Sequence, residues 1–206
     1  LMGDGIERIE VLYGGAARTF GAGAMTGAIN VVTREPVGRK GSLQLEGGEY
    51  GAYLVRASQD IGGPKGGVRL SAFHGSHDGY MPNSDMDRTG VHLSALHGLR
   101  RSEVKGQLAG LHRRFGAQNY YSSLYPDQQE IIGSYFAAVE VRNNAAPWKW
   151  QVKAYHRRHD DQFQLFRESD GYSRYADGFF IRGTGDTARF TPTFFYTFHN
   201  VHRTQV

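Results

Sequence analysis

The chain has 206 residues, with 24 Lys and Arg against 20 Asp and Glu, a formal net charge of +4 and no cysteine. The missing cysteines exclude a disulfide framework and a thiolate metal site. The basic residues are scattered, with no Lys/Arg run and no RNA-binding signature, which argues against a nucleic-acid module. No run approaches the ~20 apolar residues of a membrane-spanning helix, but the strands of a membrane barrel need only ~9–11 residues with every second one apolar.

The opening Leu1-Met2-Gly3-Asp4 has neither the basic nor the apolar region of a signal peptide. Ile6 to Pro36 then holds two β-rich runs, IERIEVL and AINVVTR, around a segment crowded with Gly and Ala. Glycines there permit positive φ and close backbone approach, as a compact element threaded through a tight space requires. Residues 37–40 read as a hinge. Beyond them, runs of alternating polarity are punctuated by Gly, Asn, Asp and Pro, which predicts strands at about 41–48, 51–61, 67–77, 89–99, 103–114, 131–142, 147–158 and 193–206. In 147–158, Trp148, Trp150, Val152 and Ala154 share one face and Lys149, Gln151 and Lys153 the other. Val91, Leu93 and Ala95 oppose His92 and Ser94 in the same way. Period two means one apolar face and one wet face, and the mean hydropathy of −0.51 fits.

The connections add a second rhythm. Residues 62–66, 100–102 and 143–146 are short, whereas 78–88, 115–130 and 159–192 are long. Outer-membrane barrels have short periplasmic turns and long extracellular loops. The expectation is a mostly β chain with the strands of a transmembrane antiparallel β-barrel; that the barrel is partial, an open meander of about eight strands with 41–48 and 193–206 exposing unpaired edges, is what the family resemblance of Ile6–Arg34 implies. Closure as a small eight-stranded barrel is the alternative.

The order Ile6–Leu12, Tyr13-Gly14, Phe20-Gly21 and Gly27–Arg34 resembles the end of the plug domain of TonB-dependent outer-membrane receptors, with Gly15 where that family usually carries Pro. The resemblance implies that residues 1–36 are the last part of a plug and 37–206 the first part of the barrel wall. It also implies residence in the bacterial outer membrane, in contact with its lipid. The implied function is energy-coupled uptake of a scarce, bulky nutrient, a metal chelate or vitamin of the iron-siderophore or cobalamin type. The implied partner is the inner-membrane protein TonB, reached through a segment absent from this chain. A carbohydrate-docking or adhesin-type receptor and a soluble β-rich binding module are the competing readings.

No Ser-His-Asp arrangement with a nucleophile elbow, P-loop or HExxH is present, so no catalytic residue, cofactor or resident metal is expected. His156 and Asp160 share a strand face, but so does Arg158, and positive neighbours oppose a cation site. Asn83, Asp85 and Asp87 alternate like oxygen ligands without the glycine and terminal glutamate of an EF-hand. The loop Phe115–Glu130 is rich in tyrosine, whose flat amphipathic ring suits ligand contact. The candidate ligand-binding residues are therefore Tyr80, Asp85, Asp87, Tyr120, Tyr121 and Tyr125.

Overall fold

The computed structural model describes residues 5–15, 25–36, 38–120, 123–143 and 150–167, together with the backbone course of 180–183 and 193–195. Two sheets emerge. Strands β1 (Ile6–Tyr13) and β2 (Gly27–Thr33) pair antiparallel in a two-stranded sheet of their own. The rest is one antiparallel meander of seven long strands: β3 (Arg39–Gly47), β4 (Tyr53–Gly63), β5 (Gly66–His77), β6 (Met86–Gly98), β7 (Ser102–Gly116), β8 (Gln129–Asn143) and β9 (Trp150–Gln164). Two short strands, β10 (Phe180–Gly183) and β11 (Thr193–Phe195), both lie along β9, against Asp161–Gln164 and Gln151–Lys153 respectively. Among the described residues no ladder joins β3 to either of them, so the sheet is open rather than closed into a small barrel.

Three boundaries differ from the sequence expectation. Strand β9 runs on to Gln164, six residues past its expected end, and β10 lies inside the stretch read as a loop. Of the strand expected at 193–206, β11 covers Thr193–Phe195, and 196–206 lie outside the described residues.

The first hairpin turns through Tyr50 (φ 56°) and Gly51 (φ 66°), both left-handed. Two consecutive positive φ values make a type I′ turn, whose twist matches that of the flanking strands and which glycine makes cheap. Its carbonyl at Tyr50 accepts from the amide of Asp78 at 2.9 Å, which ties the hairpin to the first long loop. At the opposite end the tight turn Pro64-Lys65 offers its Lys65 carbonyl to the amide of Gly98 at 2.6 Å, so neighbouring short turns also sit together. Long and short connections thus segregate to opposite ends of the sheet; residues 144–149 fall outside the described part.

One contact identifies the two faces of the wall. The amide of Gln107 donates to the hydroxyl of Thr33 at 2.8 Å, so the small sheet lies on the side that Gln107 faces. Cross-strand partners share a face, and the register carries this inner face along Asp60, Arg69, Ser94, Gln107 and Ala138. Asp60 and Arg69 are buried there, Arg69 Nη1 donating to the carboxylate oxygens at 2.9 and 2.8 Å. The outer face is apolar and exposed: Leu43, Leu45, Val55, Val68, Leu70, Val91, Leu108, Val139 and Trp150 all lie on it. Trp150, Val152 and Ala154 face outward, and Gln151 and Lys153 inward, as the alternation predicts. Trp148 and Lys149 lie outside the described residues.

The apolar band crosses the register diagonally. On β3 its middle is Gln44, between Leu43 and Leu45, and successive pairings carry Gln44 through Arg56, Phe73, Gly90, Leu111 and Ser134 to His159. On β9, however, the band of Trp150, Val152 and Ala154 is centred on Val152, seven residues away along the strand. Seven residues at ~3.3 Å over six strand spacings at ~4.8 Å is a tilt of about 40°, the inclination of strands in a membrane barrel.

Candidate functional site

The long connections meet at one end of the wall, and three of them are stitched together. Asn83 takes a left-handed conformation (φ 52°). From there its amide Nδ2 donates to the carbonyls of Pro126 at 2.8 Å and Gln128 at 2.6 Å, in the next long loop. The Gln118 amide returns to the Asn83 carbonyl at 3.2 Å. Gly116 lies against the Asn83 backbone and carboxamide so closely that a Cβ would collide with both, so only glycine permits this approach. Arg167, just past β9, closes the cluster with a two-pronged ion pair to Asp85. Its Nη2 donates to Oδ2 at 2.8 Å and its Nη1 to Oδ1. Its backbone amide donates to the Asp127 carbonyl at 2.7 Å. The loops therefore present a preorganised rim.

Aromatic groups stand on that rim. Tyr80 and Tyr120 are 72% and 74% exposed. The Tyr125 ring meets Phe166 edge-on, with centroids 5.6 Å apart at 90°.

No family model matches the chain. It is 30% identical to a ferric enterobactin receptor of Pseudomonas aeruginosa, PirA, over 120 residues that cover 50% of this chain and 16% of that receptor. Its fold superposes on the crystal structure of the siderophore receptor PiuA from Acinetobacter baumannii with a TM-score of 0.65 at 15% identity. That match covers 78% of this chain and 27% of the solved one. Together these likenesses support the reading of the chain as a fragment of a TonB-dependent outer-membrane receptor. The chain spans about a sixth of its curated relative.

In an outer-membrane receptor the exposed apolar face is the lipid face and the face bearing the small sheet is the lumen. The sequence candidates divide among these regions. Tyr80, Tyr120 and Tyr125 lie on the loop rim and are solvent-exposed. Tyr121 lies outside the described residues. Asp85 is held by Arg167. Asp87 is on the outer face of β6, its Oδ2 3.8 Å from His74 Nε2. His74 is in turn bridged to the Tyr53 hydroxyl and the Thr89 hydroxyl at 2.8 Å each. Asp160 is engaged by Arg158 Nε at 3.0 and 2.8 Å. Among the described residues no group of three His, Asp or Glu side chains converges on a common point. Gln128, Phe166 and Arg167 were not singled out in the sequence, and Asn83 was noted there only as a possible oxygen ligand, not as the fastener of two loops. Each contributes through a partner tens of residues away, and only Asn83, flanked by turn-forming Pro82 and Ser84, carries a local signal.

The hydrogen bonds from Arg167 hold the Asp85 carboxyl below the usual aspartate range, against the opposing effect of burial. A depressed folded value means that the ion pair is fully present above the ordinary aspartate value of about 3.9 and is lost only as pH falls through the lowered one. Spin labels at Tyr80 and Leu124 in the intact receptor should therefore report the same distance from neutral pH down to about 5 and separate only below about 4. Asp85→Asn should loosen the pair of loops throughout. A distance change centred at neutral pH would show that another group controls the rim.

Proposed function

We propose that this chain belongs to a receptor that captures an iron–siderophore chelate and imports it with energy supplied through TonB. Residues 1–36 are then the end of the plug and 37–206 the start of the wall. The observation that supports this most is the small sheet against the inner face. It meets the wall through polar contacts such as Thr33 with Gln107, and the Pro36 carbonyl lies over Gly67, so closely that a Cβ there would stand 2.9 Å from it. A unit held by hydrogen bonds can shift without exposing an apolar core, since each such contact is worth only about 0.5–1.5 kcal/mol net. Above it, Tyr80, Tyr120 and Tyr125 form the capture surface, to which this reading adds Tyr121 from the same loop sequence, outside the described residues. The relative's name, a ferric enterobactin receptor, points to iron rather than cobalamin as the cargo.

The test is uptake by cells carrying the intact receptor, supplied with radiolabelled iron chelates or with labelled cobalamin. Iron should bind at the surface in all conditions and accumulate inside only while the inner membrane is energised and TonB is present. Binding without energy-dependent accumulation would make the protein a docking receptor. Accumulation of cobalamin but not of iron would overturn the choice of cargo.

A further inference from the structure

The short turns carry charge of one sign. Arg39 opens β3, Lys65 lies in the turn between β4 and β5, and Arg100 and Arg101 lie in the turn between β6 and β7; all four are exposed. The hydrogen bond from the Gly98 amide to the Lys65 carbonyl sets the two turns side by side. The register puts Arg39 on the outer face, in one row with Ile61, Val68 and Ala95. None of the four has an ion-pair partner among the described residues. The carboxylates nearest in sequence, Asp60 and Glu103, face the lumen and are engaged there by Arg69 and Arg142. The loop end of the outer face differs, since Asp87 stands opposite Arg114 and Asp160 holds Arg158. Among the described residues, the outer face thus gathers unmatched positive charge at its turn end alone.

That charge sits at the depth of lipid headgroups. Leu70 is at the middle of the apolar band on β5, and Lys65 is five residues beyond it. Five residues at ~3.3 Å on a strand tilted about 40° descend about 13 Å, half the ~25 Å height of the apolar band of a membrane barrel. Beside Lys65 the outer face is notched. A groove of about 570 Å³ opens there, lined by Gly63, Gly66, Val68, Ala95 and His97 among others. Gly66 (φ 130°) must stay without a side chain, because a Cβ would strike the Leu96 carbonyl. An apolar notch on the lipid face with cations at its mouth matches the two parts of a phospholipid, an acyl chain and a phosphate that Lys and Arg bind by charge-assisted hydrogen bonds. A soluble anionic partner would need the charge but not the notch.

We propose that Lys65, Arg100 and Arg101, with the notch beside them, form a binding site for a phospholipid of net negative headgroup in the periplasmic leaflet. The site is independent of the cargo the receptor carries. Its probes are phosphatidylglycerol, which is anionic, and phosphatidylethanolamine, which is zwitterionic. Each is titrated into the intact receptor in non-ionic detergent, and the bound lipid is counted by native mass spectrometry. The anionic lipid should bind about tenfold more tightly or better. Lys65→Gln, Arg100→Gln and Arg101→Gln should each weaken it about fivefold, and the three together should remove the preference. Arg100→Lys and Arg101→Lys should bind as wild type. Gly63→Leu, at a position where a Cβ meets nothing nearer than 4.0 Å, should fill the notch and weaken the anionic lipid about fivefold with the charge unchanged. Every variant should keep the heat-modifiable mobility of the folded protein. Equal binding of the two lipids by the wild type, or full binding of the anionic one by the triple Gln variant, would overturn the site. Loss in the Gln variants but none in Gly63→Leu would mean a surface that attracts any anionic partner, and would overturn the lipid site. Displacement of phosphatidylglycerol by inorganic phosphate at matched ionic strength would do the same, because the ligand would then be the free anion.

Discussion

Replacing Arg69 by methionine should destabilise the folded wall by about 3–5 kcal/mol, the cost of leaving one buried charge without its partner. Asp60 and Arg69 have side chains 6% and 4% exposed, and both contacts between them are hydrogen bonds of 2.9 Å or less. Removing Arg69 strands the Asp60 carboxylate where water cannot reach it. Removing both charges, as in Asp60→Leu with Arg69→Met, leaves nothing to solvate and should recover most of the loss. The measurement is the urea midpoint of the intact receptor in bilayers, followed by the shift of the heat-modifiable band. A single variant as stable as wild type would mean that water or another group reaches Asp60, contrary to its burial.

Leu70→Arg should cost about 2–4 kcal/mol in a bilayer, because it places a charge near the middle of the lipid face. Leu70 is 54% exposed, and an exposed leucine on a water-facing surface could be replaced at a cost within about 0.5 kcal/mol. The two expectations differ enough to read the environment of the outer face from one substitution. The penalty should shrink for Tyr53→Arg, nearer the loop end of the same face. A penalty independent of depth, or none at Leu70, would remove this face from the membrane.

The alternation of Trp150, Val152 and Ala154 with Gln151 and Lys153 was legible in the sequence because lipid on one side and water on the other write a period of two into the strand. The same physics explains what was missed. His159-Asp160-Asp161-Gln162 carries no apolar residue, yet β9 continues through it, paired with Ile131–Ser134 on β8. Beyond the hydrocarbon a strand needs only backbone partners, so hydrophobic periodicity stops before the strand does. The rim was half legible. Tyrosine-rich loops were visible by composition, but the bond from Arg167 to Asp85 spans 82 residues and leaves no local trace.

The diagonal course of the apolar band has a consequence for which length changes this wall can absorb. Each tilted strand enters and leaves the hydrocarbon at its own residue, seven positions apart between β3 and β9 when followed along the pairings. Deleting one residue inside β6 would turn the side chains beyond it to the opposite face and offset the band on every strand that follows. The pairs Val91 with Gly110 and Leu93 with Leu108 admit no such slip. Insertions in 78–85 or 117–128 leave the band untouched, although those that part Asn83 from Gln128 would unfasten the rim. Descendants of this sequence should therefore differ in length almost solely at the outer loops, keeping strand lengths constant while the capture surface is rewritten.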